Sequence, residues 1–278
     1  MTESLFEFSS TDGTELKGVE WSGENSKAVI AMVHGHGEHK MRYKHVATFF
    51  DLHDIAIVAM DLRGHGESGG KRGHTPSFDQ WMDDIEQFLM EVRNRYNDVP
   101  LILYGHSMGG NIVTNYLLRK ETNDIQAAIV TDPLFRIAFE PPKWKVLVGN
   151  WMSNIWPSLV QPTGLNADHI STDPEEVKKY KNNPLVHDKM SARMFVEVFA
   201  AADWAMEHAK ELKTPTLMMH GAADEITSPK GSKEFTAKSN DKVTLKLWEG
   251  MYHEIQNEVD KQLVFDYELA WIEKTVKL

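Results

Sequence analysis

One stretch limits the possible folds more than any other. Leu101 to Asn111 reads LILYGHSMGGN: an apolar run, a Gly-x-Ser-x-Gly pentapeptide centred on Ser107, and the start of a helical pattern. A strand that turns through small residues straight into a helix leaves its corner residue projecting from the top of a sheet. The backbone at such a corner is too tight for side chains at positions 105 and 109. Ser107 is the corner residue. A serine oxygen is a weak nucleophile near neutral pH, so chemistry at Ser107 requires a histidine base, an acid to orient it, and donors for a developing oxyanion.

The rest of the chain supplies the sheet that such a turn needs. Phe6 and Phe8, the Asp12-Gly13 turn and Leu16 to Trp21 read as an opening hairpin. Ala28 to Val33, Ile55 to Met60, Val99 to Tyr104, Ala127 to Val130 and Thr216 to Met219 are continuous apolar runs, as expected of strands buried on both faces. Val243 to Trp248 is the last strand. Helices are expected over Tyr43 to Leu52, Phe78 to Tyr96, Met108 to Leu118, from Pro229 onward and over Gln262 to Val276, where apolar residues recur every three or four positions. Alternating strands and helices build a mostly parallel sheet covered on both faces. The alternation breaks after Thr131, in a segment rich in proline that carries tryptophans at 144, 151 and 156. Residues 1–131 and 210–278 are therefore expected to form the core. Residues 132–209 are expected to form a helical or loop-rich cap inserted late in the sheet order, over the carboxyl ends of the strands and hence over Ser107.

Composition removes several classes of function. The chain has 278 residues and no cysteine, which excludes disulfides and a thiol nucleophile. No apolar stretch approaches the ~20 residues that span a bilayer, and the first residues, MTESLFEF, lack the pattern of a secretion signal. The expectation is a soluble, cytoplasmic protein. A net charge of −11 disfavours nucleic acid or an anionic membrane as a partner held by charge. The glycine-rich loop Asp61 to Gly70 lacks the pattern of a phosphate or dinucleotide loop, so no cofactor is expected.

The missing chemical parts lie at strand ends. Asp224 follows one apolar strand and His253 the next, in the order Ser, Asp, His that suits this kind of turn. His253 would take the serine proton and return it to the leaving group, and Asp224 would fix the histidine tautomer. Asp132, directly after the strand that follows the Ser107 helix, is a rival acid; strand position and chain order favour Asp224. The N–H groups of His36, in His34-Gly35-His36-Gly37, and of Met108 would form the oxyanion hole. His34, His36 and His39 are ligand types for a metal, but their loop is too rich in glycine for helical ligand spacing, and no metal is expected. His34 is better read as a brace between loops. The apolar cap residues Trp151, Met152, Ile155, Trp156, Leu159 and Val160 would form a small core of the cap, line an acyl pocket, or touch a lipid surface.

These motifs resemble those of the monoacylglycerol lipases and related lysophospholipases of the α/β-hydrolase superfamily. The matching pieces are HGHGEH (34–39), DLRGHGESGG (61–70), GHSMGG (105–110), DPEEVKKYKNNPLV (173–186), HGAADEITSPKGS (220–232) and EGMYHEI (249–255). The resemblance implies an α/β-hydrolase fold, Ser107, Asp224 and His253 as triad, and His36 and Met108 as oxyanion donors. It also implies that Glu176 recognises the glycerol end of the substrate. The implied activity is hydrolysis of monoacylglycerols to fatty acid and glycerol through an acyl-serine, with a broader carboxylesterase or lysophospholipase as the alternative. The implied partner is a small lipid ester, with transient contact between the cap and a lipid surface. Two positions depart from the family pattern: Asn183 stands where an aspartate is common, and Asp132 where a small neutral residue is expected.

Overall fold

The computed structural model describes residues 1–139 and 143–278, and excludes the side chains of 143–146, 148 and 150. The expected Pro141-Pro142 break and the indole of Trp144 therefore lie outside the described residues. Eight strands form the main sheet: β1 (Thr2–Ser9), β2 (Glu15–Ser22), β3 (Ala28–Val33), β4 (Ile55–Met60), β5 (Leu101–His106), β6 (Ile125–Thr131), then β9 (Thr216–Gly221) and β10 (Val243–Trp248). β7 (Val160–Pro162) and β8 (Lys189–Ser191) are a separate antiparallel pair. The spatial order is β1-β2-β4-β3-β5-β6-β9-β10, with β2 antiparallel to both its neighbours and every pair from β4 to β10 parallel. This is the α/β-hydrolase fold, with the cap pair inserted late in the strand order.

The apolar runs are continuous because each strand feeds two cores. In β3, Val29, Ala31 and Val33 join one cluster with residues of α2 (Phe78–Arg95) and α3 (Met108–Arg119). Their neighbours Ala28, Ile30 and Met32 join the other, with residues of α1 (Lys44–Asp51) and α8 (Lys261–Ile272). Successive side chains of a strand point to opposite faces, so a strand covered on both sides has no solvent position to fill. Each fully buried Val, Ile or Leu contributes roughly 1.5–3 kcal/mol relative to exposure.

The segment 132–209 contains chain of two kinds. Between β6 and β8 lie α4 (Lys143–Ile155) and α5 (Pro174–Asn182), with β7 between them. α6 (Ala192–His208), capped by Ser191, instead buries Met194, Val198, Ala201, Ala202 and Ala205 in the main cluster beside α3. Asn111 and Asn115 of α3 donate from their side chains to the carbonyls of Val198 and Ala201 at 2.9 and 3.1 Å, stitching the two helices together. α7 (Pro229–Lys238) starts at Pro229 as its missing N–H allows, and Ser228 before it makes no side-chain cap bond.

Glu268 of α8 is fully buried, and neither carboxyl oxygen has a hydrogen-bond partner among the described residues. Burial pushes its carboxyl from 4.5 up to about 8, against the opposing pull of the Tyr104 phenol. The folded chain thus holds a proton that the unfolded chain has released, and stability falls as pH rises from about 4.5 to about 8. Within that window the cost is about 1.4 kcal/mol per pH unit. Glu268→Gln should flatten this part of the stability profile, read as urea midpoints between pH 5 and pH 8. An unchanged slope would show that the carboxyl is ionised in the fold.

Candidate active site

Ser107 occupies the junction of β5 and α3 with φ 52° and ψ −117°, a strained conformation for a residue with a side chain. The glycines around it are required by space. A Cβ at Gly105 would stand 2.5 Å from the Gly109 carbonyl oxygen, and one at Gly109 would stand 2.3 Å from that of Val33. β3 and β5 therefore bring the His34–Gly37 loop against the serine. A Cβ on Gly35 would lie 3.0 Å from that of Ser107.

His253 Nε2 lies 2.9 Å from Ser107 Oγ, and its Nδ1 lies 2.7 Å from Asp224 Oδ2. All three residues are buried. Asp224 cannot donate when ionised, so Nδ1 carries the imidazole proton and Nε2 is left to accept from the serine hydroxyl. Burial alone would lower the His253 pKa, but the charge of Asp224 and its hydrogen bond, with Glu254 and Glu38 nearby, leave it raised. Burial works against the Asp224 charge too. The imidazole of His253 and the hydrogen bonds from His220 and His253 outweigh it, and the carboxyl sits well below the usual carboxylate range.

Sequence reasoning missed most of what holds Asp224. Its Oδ1 accepts from the backbone N–H groups of Ile226 and Thr227 at 2.7 and 3.0 Å. Its Oδ2 accepts from the Thr227 hydroxyl at 2.7 Å and pairs with His220 Nε2 at 3.1 Å. The strand-end position of His220 was the only available signal. Asp132, the rival acid, ends β6 with φ 47°, and its Oδ1 accepts the Gly221 N–H at 2.8 Å. No bond joins it to His253.

Asp132, His220 and Asp224 each place one polar atom within 4.8 Å of the others, near enough to surround a cation. The five donors already on Asp224 and the fixed partner of Asp132 make this a hydrogen-bonded cluster, not a coordination shell.

The two expected oxyanion donors come from two segments, the loop after β3 and the start of α3. Among the described residues neither the His36 nor the Met108 N–H is donated to another group. The loop carrying His36 is shaped by Glu38, which accepts from Gly35 N–H and Tyr43 Oη at 2.7 and 2.8 Å and from Arg42 at 2.7 Å. Arg42 also makes a two-pronged pair with Glu254, next to His253, at 2.6 Å for both bonds. One guanidinium thus ties the loop of His36 to the loop of His253. His34 braces loops as expected: Leu62 N–H donates to its Nε2 at 3.0 Å, and its Nδ1 donates to the Gly35 carbonyl at 2.7 Å. The His36 ring, between those of His65 and His187, has no hydrogen-bond partner among the described residues, and burial lowers its pKa to about 3.

The cap is seated on these same loops. His187 N–H donates to the Gly37 carbonyl at 2.9 Å, and Asn183 Nδ2 donates to His39 Nε2 at 2.8 Å. Asn183 also accepts from Leu185 N–H, so it ends α5 in a side-chain turn. Buried Glu258 accepts from Tyr252 N–H at 2.7 Å and from the Thr172 N–H and hydroxyl, latching the start of α5 to the histidine loop. No local sequence signal marked it. Glu176 is bonded to Lys179 one turn along α5 at 2.8 Å, and none of its bonds reaches the three central residues.

A buried serine, histidine and aspartate in series, at the carboxyl edge of a mostly parallel sheet of this order, define a serine hydrolase of the α/β-hydrolase class. The chain belongs to the serine aminopeptidase S33 family, whose model matches residues 24–260. An uncharacterised abhydrolase domain-containing protein of Dictyostelium discoideum is 36% identical over 100% of the chain, which spans 30% of that protein's length. A monoacylglycerol lipase of Mycolicibacterium smegmatis is 31% identical over 98% of this chain and 97% of its own. A phospholipase of Bacillus subtilis is 28% identical over 92% and 99%. Among solved structures, the monoacylglycerol lipase of Paleococcus ferrophilus superposes with a TM-score of 0.84 at 27% identity, over 99% of this chain and 100% of that one. The chain is a serine-type hydrolase. Among the described residues no helix is long and apolar enough to cross a membrane.

Proposed function

We propose that the chain hydrolyses acyl esters of small alcohols, monoacylglycerols among them, by a two-step reaction at Ser107. The observation that carries the reading is the unbroken series Ser107, His253, Asp224. Ser107 Oγ attacks the acyl carbonyl as His253 Nε2 takes its proton. The N–H groups of His36 and Met108 receive the oxyanion, and His253 returns the proton to the departing alcohol oxygen. Water then attacks the acyl-serine through the same base, releasing the fatty acid and restoring the serine hydroxyl. Asp224 holds the imidazolium formed in both steps.

Monoacylglycerol as the preferred ester rests on the M. smegmatis relative and on the cap motif at 173–186. A broader esterase or lysophospholipase is favoured by the B. subtilis phospholipase, similar over nearly as much of the chain. Glu176 is kept as the proposed contact to the glycerol end. The proposed domain division keeps the cap at 132–209 over a core of 1–131 and 210–278. Rates on 1- and 2-monoacylglycerols, diacylglycerols, lysophospholipids and short p-nitrophenyl esters test the substrate reading. A kcat/KM for lysophospholipids or short esters well above that for monoacylglycerols would remove monoacylglycerol as the preferred class.

The cap supports a lipid surface as the place of work. On α4, Leu147, Trp151 and Ile155 repeat every four residues and are 71, 64 and 59% exposed, with Trp156 beside them at 57%. Side chains this exposed are not a core of the cap, and four exposed apolar side chains on an acidic protein suit shallow contact with neutral lipid. The double variant Trp151→Ser/Trp156→Ser should lose roughly threefold to tenfold in rate on emulsified monoacylglycerol. Its rate on a water-soluble ester should hold; equal loss on both would sink the surface role.

A further inference from the structure

The carboxyl of Asp132 is more than a turn needs. It is fully buried, and it spends one oxygen on the Gly221 N–H while Oδ2 has no partner among the described residues. An asparagine or serine would serve that N–H equally, and without the cost of burying an acid. The acid stands at the end of β6, beside the end of β9 that leads to Asp224. His220 lies between the two carboxyls: its Nε2 is 3.1 Å from Asp224 Oδ2 and 3.9 Å from Asp132 Oδ1. The Thr227 carbonyl, 3.3 Å from the same nitrogen, is also an acceptor, so Nε2 carries the ring proton. His220 Nδ1 then accepts from the Ser232 hydroxyl at 2.7 Å.

We propose that Asp132 is a second acid of the site, a positioning residue that keeps its proton while Asp224 carries the charge and that takes over the charge when Asp224 cannot. This rests on the triad reading above. Two carboxyls so close in a dry site do not both ionise, and unequal surroundings decide which one does. Asp224 receives five donors and Asp132 one. The other groups whose electrostatics couple to Asp132 are Glu254 and Glu258 after β10 and the phenol of Tyr104 on β5; none is a cation. Burial and the Asp224 charge accordingly push the Asp132 carboxyl well up. Without the Asp224 carboxylate, Asp132 loses its largest opposing charge, releases its proton to solvent and becomes an anion 3.9 Å from His220 Nε2.

The charge state can be read in the intact enzyme. With aspartate 13C-labelled at the carboxyl, one carboxyl resonance should remain in the protonated position at pH 7; full ionisation of every aspartate would overturn the proposal. The take-over is read by comparing Asp224→Ala with Asp132→Asn/Asp224→Ala on a soluble ester. The single variant should retain roughly tenfold or more activity over the double and show an added ascending limb in its pH–rate profile, where Asp132 ionises. Equal rates and matching profiles would overturn the role while leaving the triad intact. If the double variant does not fold, Asp132→Ser/Asp224→Ala serves the same comparison. A triad failure is separable, since Asp224→Ala would then keep full activity.

Discussion

Ser107→Ala should lower kcat by roughly 10⁴- to 10⁶-fold and abolish labelling by a serine-reactive phosphonate. The chain contains no cysteine that could substitute as nucleophile. The hydroxyl makes one hydrogen bond, to His253 Nε2, so its loss leaves the fold's own bonding intact. Alanine meets the same backbone strain at φ 52° that serine does, and the thermal midpoint should move little. The proposed backbone donors at 36 and 108 remain, so KM on a soluble ester should change less than kcat. The decisive measurement is covalent: phosphonate labelling that persists in Ser107→Ala refutes the nucleophile, whatever the residual rate.

The parts of this molecule that were legible in its sequence are those with a local rule. Buried strands such as Val29 to Val33 appear as unbroken apolar runs because both faces are covered, and the turn at Ser107 appears because only glycine fits at 105 and 109. Asp224 and His253 could be found from strand ends alone, since parallel strands deliver their following residues to one rim. The ties around them could not. Arg42 to Glu254 spans 212 residues and Glu258 to Thr172 spans 86, and no periodicity or spacing reports a pair that far apart. α6 was legible only as part of the broken segment after Thr131, because its apolar side chains match α3, whose position the local pattern does not state. Glu176 shows the reverse limit, since its role came from a motif and its visible bond is to a neighbour on its own helix.

The polar layer beneath the site follows one physical rule. Every charged group next to the reacting atoms is held by donors or by an opposite charge: Glu38 by Gly35, Tyr43 and Arg42, and Glu254 by Arg42. A buried ion left unpaired would neutralise itself instead, and the carboxyls of Asp132 and Glu268 are pushed up in that manner. The cap is tied into this layer through His187, Asn183 and Glu258, so the loops that carry His36 and His253 are braced from both the core and the cap.

Asp224→Asn should reduce kcat by about 10³- to 10⁴-fold, far more than the change in volume would suggest. The argument lies in which atom of the amide goes where. Oδ1 of Asp224 is met by two backbone N–H groups, from Ile226 and Thr227, so the asparagine oxygen must take that place. Its NH₂ then faces His253 Nδ1, where the carboxylate now accepts. Nδ1 must become the acceptor, the ring proton moves to Nε2, and Nε2 can no longer take the proton of Ser107. Alanine imposes no such tautomer, so Asp224→Ala should be more active than Asp224→Asn although it removes more of the side chain. Nitrogen-15 shifts of the His253 ring would report the tautomer directly. If His253 in Asp224→Asn keeps its proton on Nδ1, or if the variant keeps full activity on a soluble ester, Asp224 is not the residue that sets the base.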